Sequence, residues 1–289
     1  MFKILKVLYW VINVVIIAAL LVVHFVLKER SYNDSINYYQ YPLPVIIVVV
    51  LGLSIFLSKR KFNVILAGIL LVLWLGRSFK IHIPEKINGD DLEVAFWNAS
   101  RDNGFEEAFS ENGGIPDVLV LVESKPNNLK RFQLKYPNYY FYKSNRELYV
   151  FSKNPIQIES QNTSPYNSTV INFKTRGINF YAVDVTGSID VPREWELDFV
   201  DNELKTTQKT IVLGDFNLPY ESKNLKHIKA NFNHAFNEKG NGFRETWFWN
   251  IPLLSLDHIW VSKDLKILKT QKINTFKSDH TILKTYIRN

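Results

Sequence analysis

From Val7 to Leu27 the chain is almost unbroken apolar sequence, interrupted by Asn13 and His24, and no other feature narrows its possible folds as far. At a rise of about 1.5 Å per residue, a helix of this length crosses the roughly 30 Å hydrocarbon core of a bilayer. A cleaved leader would carry a shorter apolar stretch, about 7–15 residues, closing on small residues; Leu27-Lys28-Glu29-Arg30 does not close that way. Two more apolar runs, Leu43 to Leu57 and Phe62 to Leu75, are separated by Ser58-Lys59-Arg60-Lys61. Both are short for a span, but Tyr38 to Tyr41 and Arg77 to Lys80 can extend them into the interface, where aromatic and snorkelling cationic side chains belong. Apolar residues on every helix face imply lipid, not a buried hairpin of a soluble domain. The expectation is a membrane anchor over residues 1–80 with about three transmembrane helices, 7–27, 43–57 and 62–77, followed by a linker at 81–91 with Pro84 and Asn88-Gly89-Asp90.

Lys3, Lys6 and the Lys59-Arg60-Lys61 turn favour a cytoplasmic N-terminus by the positive-inside rule, against the pull of Lys28, Arg30, Arg77, Lys80 and Lys86. With three spans, this orientation places the C-terminal domain of an integral inner- or plasma-membrane protein outside the cytoplasm. The formal net charge is +7, but residues 1–87 hold 10 Lys/Arg and 3 Asp/Glu while residues 88–289 hold 25 of each. The basicity therefore belongs to the membrane flanks, where it complements anionic headgroups, and argues little for nucleic acid. Cysteine is absent, which excludes disulfides and thiol catalysis.

Beyond the linker the pattern changes to short apolar strands: Leu92 to Trp97, Val118 to Val122, Leu148 to Phe151, Ile178 to Val183, Thr210 to Leu213, His258 to Val261 and Ile282 to Ile287. Helices are expected at Phe105 to Glu111, Arg193 to Leu204 and Ser222 to Phe232, giving a mixed α/β domain over 92–289. Asn98, Glu123, Asp215, Asn217, Asp257, Asp279 and His280 all fall at strand ends or just beyond. Each taken singly is explained by a turn cap, an Asx turn or a solvated strand end. Together they form a rim of carboxylates, which calls for a cation, and hard oxygen donors suit Mg²⁺ or Mn²⁺ better than zinc.

Six strings make the pattern specific: Ala95-Phe96-Trp97-Asn98, Val120-Leu121-Val122-Glu123, Tyr149-Val150-Phe151-Ser152-Lys153-Asn154-Pro155, Gly214-Asp215-Phe216-Asn217, Leu256-Asp257-His258-Ile259 and Ser278-Asp279-His280. In this order they resemble the endonuclease/exonuclease/phosphatase superfamily, the DNase-like fold that includes neutral sphingomyelinases and inositol-polyphosphate phosphatases. The resemblance covers residues 90–289. Gly242-Phe243-Arg244-Glu245-Thr246-Trp247 running on to Asp257 is similar to a bacterial membrane-anchored branch. The resemblance implies a two-sheet, four-layer α/β sandwich and a metal-dependent phosphoesterase acting on nucleic acid or a phospholipid-like ester. It implies Glu123 as metal ligand with Asn98 and Asp279 near the same ion, Asp215 and Asn217 orienting water and contacting phosphate, and His280 beside the scissile phosphate with Asp257 fixing its tautomer.

One position departs from the family pattern. Where the family presents histidine or tyrosine after Phe180-Tyr181-Ala182-Val183, this chain has Asp184. Three consequences stand side by side: Asp184 holds a second metal, a neighbour such as Arg193 supplies the missing positive contact, or activity is reduced. The last leads to the alternative of a membrane-bound binding or scaffold module. His258 should point away from Asp257's face on strand alternation and serve structure. His24 and His82 read as interface or packing residues. His227 and His234 flank a surface-type helical segment and carry no assigned role. Trp247, Phe248 and Trp249 read either as loop anchors or as a platform for a base or lipid chain.

Overall fold

The computed structural model describes residues 2–55, 60–126, 128–205 and 208–289; Phe56, Leu57 and the Ser58-Lys59 part of the expected turn lie outside the described residues. The chain divides into two units, Met1–Phe79 and Lys80–Asn289.

The first unit is helical. Helix α1 (Phe2–Leu21) continues as a π-helical segment, Val22–Leu27, and is followed by α2 (Tyr32–Gln40), α3 (Leu43–Ser54) and α4 (Lys61–Ser78). Lys3–Leu27 and Lys61–Ser78 are each long and apolar enough to cross a membrane; α2 and α3 reach that length only as a pair bent by 65°. Tyr38 to Tyr41 therefore does not extend the second apolar run in a straight line. Pro42 precedes α3 as its cap with extended backbone, and the ring removes an amide and disfavours helical geometry in the residue before it. Ile17, Leu20, Ile46, Val50, Ala67 and Leu70 pack inside the bundle. Asn63 joins α4 to α1, its Nδ2 donating to Asn13 Oδ1 at 2.8 Å and to Val50 O at 3.2 Å. The opposite faces leave Val7, Val15, Val48, Ile65 and Val72 exposed.

The second unit holds two six-stranded mixed sheets. The strands of these two sheets are β1 (Leu92–Asn98), β2 (Val118–Val122), β3 (Tyr140–Lys143), β4 (Tyr149–Ser152), β5 (Gln157–Thr163), β6 (Thr169–Thr175), β7 (Ile178–Asp184), β8 (Thr210–Asp215), β9 (Phe232–His234), β10 (Asp257–Ser262), β11 (Lys266–Ile273) and β12 (Ile282–Arg288). The first sheet runs β11-β12-β1-β2-β4-β3 and the second β9-β10-β8-β7-β6-β5. Within them β1 and β2 pair in parallel, as do β7 and β8. Alternation along each strand sorts residues between layers. Val94, Phe96, Val120 and Val122 of the first sheet meet Phe180, Ala182, Ile211, Leu213, Ile259 and Val261 of the second. Ala95, Trp97, Leu119 and Leu121 turn outward against Phe105 and Phe109 of α5 (Phe105–Glu111) and pack with Phe132 of α6 (Leu129–Lys135). Burial on both faces explains why these strands read as continuous apolar runs. On the second sheet, Lys205 at the end of α7 (Arg193–Glu203) donates its amide to Tyr181 Oη at 3.1 Å. The unit is a two-sheet sandwich flanked by helices.

The segment expected as one helix from Ser222 to Phe232 is instead a 3₁₀ turn (Lys223–Leu225), a short α8 (Lys226–Asn231) and a strand beginning at Phe232. His234 lies on that strand and is buried, not on a surface segment, because Phe232–His234 pairs with Ser262–Trp260 of β10. Residues 81–91, expected as a linker, belong to the second unit and bond to the rest of it: His82 N donates to Asn241 Oδ1 at 2.7 Å, Glu85 N to Leu268 O at 3.1 Å, and Arg288 bonds Asp91 at 2.8 Å.

Candidate active site

The alternation that builds the inter-sheet core also places the polar cluster. Continuing the inward series one step past Phe96 gives Asn98, past Ala182 gives Asp184, past Leu213 gives Asp215, and back from Ile259 gives Asp257. Register aligns three of these side by side, with Asp184 paired to Asp215 across β7/β8 and Asp257 paired to Asp215 across β8/β10. Adjacent strands lie about 4.8 Å apart, so three carboxylates form a row at the open end of the interlayer. Like charges directly opposite one another destabilise a sheet, so this row needs compensation.

Gly214 makes the row possible. A Cβ on it would lie 1.9 Å from Val183 O, so no other residue lets β8 run this close to β7. Glu123 follows β2 with φ +46° and Asn217 follows β8 with φ +49°. The left-handed backbone at both positions is a local strain of the kind retained at functional sites.

Hydrogen bonds tie the cluster together. Asn98 Nδ2 donates to Asp215 Oδ2 at 2.9 Å, and Asn217 N donates to Asp215 Oδ1 at 2.8 Å. Asn217 Nδ2 donates to Val185 O at 2.7 Å. His280 Nδ1 lies 2.9 Å from Asp257 Oδ2, and Thr246 Oγ1 accepts from Asp257 N at 3.2 Å. Asp279 accepts from Ser100 Oγ and, at 2.8 Å, from Trp247 Nε1. Ser278 Oγ donates to Asn98 O at 2.8 Å and accepts from His280 N at 3.0 Å, which joins the ends of β1 and β12 across the site.

Electrostatics follow from this crowding. Desolvation, then Asp215, Glu123 and Glu147, hold the Asp184 carboxyl well above the usual carboxylate range. Burial and Asp257 push Asp215 up to about 7, against the donors Asn98 and Asn217 and the charge of His280. For His280, burial opposes the charged ring, but Asp257 and Asp215 outweigh it and raise the imidazole to about 10. Burial also opposes the Asp279 charge, yet its bonds to Ser100 and Trp247 keep it below the ordinary value.

Four sequence-derived positions, Asn98, Asp215, Asp257 and His280, thus converge directly, with Asn217 and Asp184 at their edge. Ligand atoms of Asp215, Asp257 and His280 lie within 4.8 Å of one another. Glu123 faces an open cleft of about 580 Å³ that it lines with Asp184, Arg101, Glu147, Lys143 and Arg146. Its carboxylate lies 3.4 Å from the Arg101 guanidinium, whose Nε also reaches Glu147 at 3.1 Å. Arg193 opens α7, but its guanidinium donates to the carbonyls of Thr186 and Gly187, the latter at 3.0 Å, and braces the loop that follows Asp184. Arg101, Ser100 and Thr246 were not singled out from sequence. Arg101 follows Asn98 by three residues, and the successive positive φ of Ser100 and Arg101, +47° and +61°, turn it back toward Glu123.

His258 points away from Asp257's partners, as alternation requires. It is buried, with Nε2 2.9 Å from Leu218 O and Nδ1 3.0 Å from His234 Nε2, and burial lowers it to about 4. Trp247 turns inward to Asp279, while Phe248 and Trp249 remain partly exposed.

The residues suit a hard divalent cation. Glu123 and Asp184 line the open cleft together, the negative charges of Asp215 and Glu123 crowd the Asp184 carboxyl, and the donors are predominantly oxygen.

A two-sheet sandwich with its acidic cluster at one end of the interlayer defines the DNase-like class of α/β folds. The chain belongs to the Endonuclease/Exonuclease/phosphatase family, whose sequence profile matches residues 95–280. Members are hydrolases acting on phosphate esters and are generally dependent on divalent metal. Among similar solved structures, an endonuclease/exonuclease/phosphatase family protein from Bacteroides thetaiotaomicron superposes with TM-score 0.53 at 16% identity, covering 70% of this chain and 98% of that one. The B. thetaiotaomicron mannosyl-6-phosphatase gives TM-score 0.51 at 16% identity, over 68% of this chain and all of its own. D. rerio TDP2 complexed with single strand DNA product gives 0.50 at 14% identity, over 69% and 100%. At these identities the likeness establishes the fold. No curated protein matches the chain significantly.

Proposed function

We propose that the chain is a membrane-anchored, divalent-metal-dependent phosphoesterase. The carrying observation is the Asp257–His280 pair, 2.9 Å apart, set beside Asp215 in a row of buried carboxylates. We assign the cation, Mg²⁺ or Mn²⁺, to Glu123, Asn98 and Asp279, with Asp184 as a further oxygen donor in place of the family's histidine or tyrosine. When bound, such a cation neutralises charge on the ester's nonbridging oxygens. His280, positively charged at neutral pH and oriented by Asp257, stabilises the phosphoryl charge and can give a proton to the leaving oxygen. Asp215, raised to about 7, is poised to accept a proton from an attacking water that Asn217 helps position. Arg101 is a guanidinium lining the cleft and takes the phosphate-contacting role that the sequence offered, as one of three readings, to Arg193. Anchoring rests on the two helices of spanning length and on the exposed apolar faces of the first unit, which lipid would cover.

The test is hydrolysis by the full chain in detergent, with and without Mg²⁺ or Mn²⁺, across DNA, RNA, bis-p-nitrophenyl phosphate, sphingomyelin and phosphoinositides. Metal-dependent turnover should fall by at least about 10²-fold in His280→Ala and Asp215→Asn. Turnover unchanged in both variants would remove these residues from the mechanism, and silence across the panel would favour the scaffold alternative.

A further inference from the structure

Beside the site, Phe248, Trp249, Ile251 and Phe276 stand in solvent, 37%, 44%, 54% and 86% exposed respectively. They come from the loops 247–253 and 274–281, and the second of these also carries Asp279 and His280. The loops are braced against each other. Trp249 N donates to Asp279 O at 2.9 Å, Asn250 Nδ2 to Thr275 O at 2.9 Å, and Thr281 N to Thr246 O at 2.9 Å. Trp249 and Asn250 hold positive φ, +49° and +65°. A bulky residue in that conformation, and a phenylalanine left almost wholly in water, each cost free energy. A firm frame displaying apolar side chains beside a polar cleft is a docking surface.

The chain's own path names what it docks on. Lys80, the first residue of the unit, is partly buried and within electrostatic reach of Arg244, Glu221 and Glu245. Two residues later, His82 Nδ1 lies 2.8 Å from Gly240 O. Gly240 to Glu245 leads straight into Trp247. The polypeptide therefore joins the unit along the segment that forms the rim, two residues after an apolar helix of spanning length ends at Ser78. Tryptophan is enriched at membrane–water interfaces, and phenylalanine sits on the lipid-buried face of interfacial segments. Nucleic acid fits less well, because residues 88–289 carry equal numbers of acidic and basic groups and offer no excess charge for phosphate backbones.

We propose that Phe248, Trp249, Ile251 and Phe276 dock into the surface of the bilayer that the chain's own apolar helices occupy, and that the ester delivered to Asp215 and His280 is a headgroup phosphate of a membrane lipid. This rests on the phosphoesterase reading above. Tethering keeps the lipid at high effective concentration, and the rim aligns the cleft with the headgroup layer.

The chain has no cysteine, so an introduced one is a unique labelling site. The full-length protein is reconstituted into phosphatidylcholine/phosphatidylglycerol vesicles containing nitroxide-labelled lipid. It carries a fluorophore at Phe276→Cys or, as control, at Lys174→Cys, which lies on β6 away from the end that bears Asp184. Quenching several-fold stronger at 276 supports docking; equal quenching at the two positions overturns it. In parallel, Ile251→Ser combined with Phe276→Ser should lower hydrolysis of vesicle phospholipid by about tenfold or more while sparing bis-p-nitrophenyl phosphate. If the double variant instead impairs hydrolysis of single-stranded DNA and leaves lipid turnover intact, the rim is a base-stacking platform and the proposal fails. Should the wild type hydrolyse no phosphate ester, the phosphoesterase reading falls, while quenching still decides the docking.

Discussion

Asp184 shows how one side chain changes the electrostatics of a site. It occupies the outer place in a row with Asp215 and Asp257, and its carboxyl is held well above the ordinary 3.8 by desolvation and by Asp215 and Glu123. A carboxyl whose folded pKa is raised keeps its proton where the unfolded chain has lost it. Its contribution to stability therefore falls as pH rises above about 4, and Asp215, raised to about 7, acts in the same direction between about 4 and 7. In metal-free protein Asp184→Asn should raise the melting temperature at pH 8 by roughly 3–8 °C, with little gain near pH 4. Added Mg²⁺ should stabilise the wild type more than the variant. Calorimetry across pH checks both, and a larger Mg²⁺ effect on the variant would exclude Asp184 as a metal donor. The membership of Asn98, Asp215, Asp257 and His280 in one cluster was legible in sequence because each ends or begins an apolar strand. The role of Arg101 was not, since its approach to Glu123 depends on a backbone turn that no periodicity encodes.

At the scale of elements, the contact between β7 and β8 sets the spacing of Asp184 and Asp215. Gly214→Ala places a methyl 1.9 Å from Val183 O, which forces apart the two strands that end in Asp184 and Asp215. We expect a loss of at least about 3 kcal/mol and of activity together, read by chemical denaturation; a variant as stable as the wild type would mean that the strands have slack. The strands found from sequence, such as Val118–Val122, are buried on both faces, so they are apolar throughout. Of those missed, β6 (Thr169–Thr175) lies inside its sheet, its apolar run broken by Asn172 and Lys174, and the others are edge strands. Gln157–Thr163 holds Gln, Glu, Ser and Asn, and Lys266–Ile273 holds three lysines. The helix expected to run through Phe232 stops because pairing with β10 captures that residue, a tertiary preference that overrides local propensity.

For the whole molecule, the proposed anchoring predicts on which side of a membrane the second unit lies. Lys3 and Lys6 favour a cytoplasmic N-terminus, and an odd number of spans then places Asn289 outside. An alkaline phosphatase reporter fused after Asn289 should be active in cells and a fluorescent protein at the same point dark; the reverse pattern would overturn this orientation, through an N-terminus outside or through an even number of crossings, as when Lys3–Leu27 and Lys61–Ser78 span and the bent pair does not. By itself the sequence determined the apolar N-terminal third, the strand-rich remainder and the family of the site, because hydrophobic periodicity and short motifs are local properties. Only the tertiary structure decided that Asp184, Asp215 and Asp257 form one row, that Arg101 and not Arg193 faces Glu123, and that Phe276 and Trp249 share a rim. Register, strand order and the bracing of separate loops are set by contacts between residues far apart in sequence, and no local pattern records them.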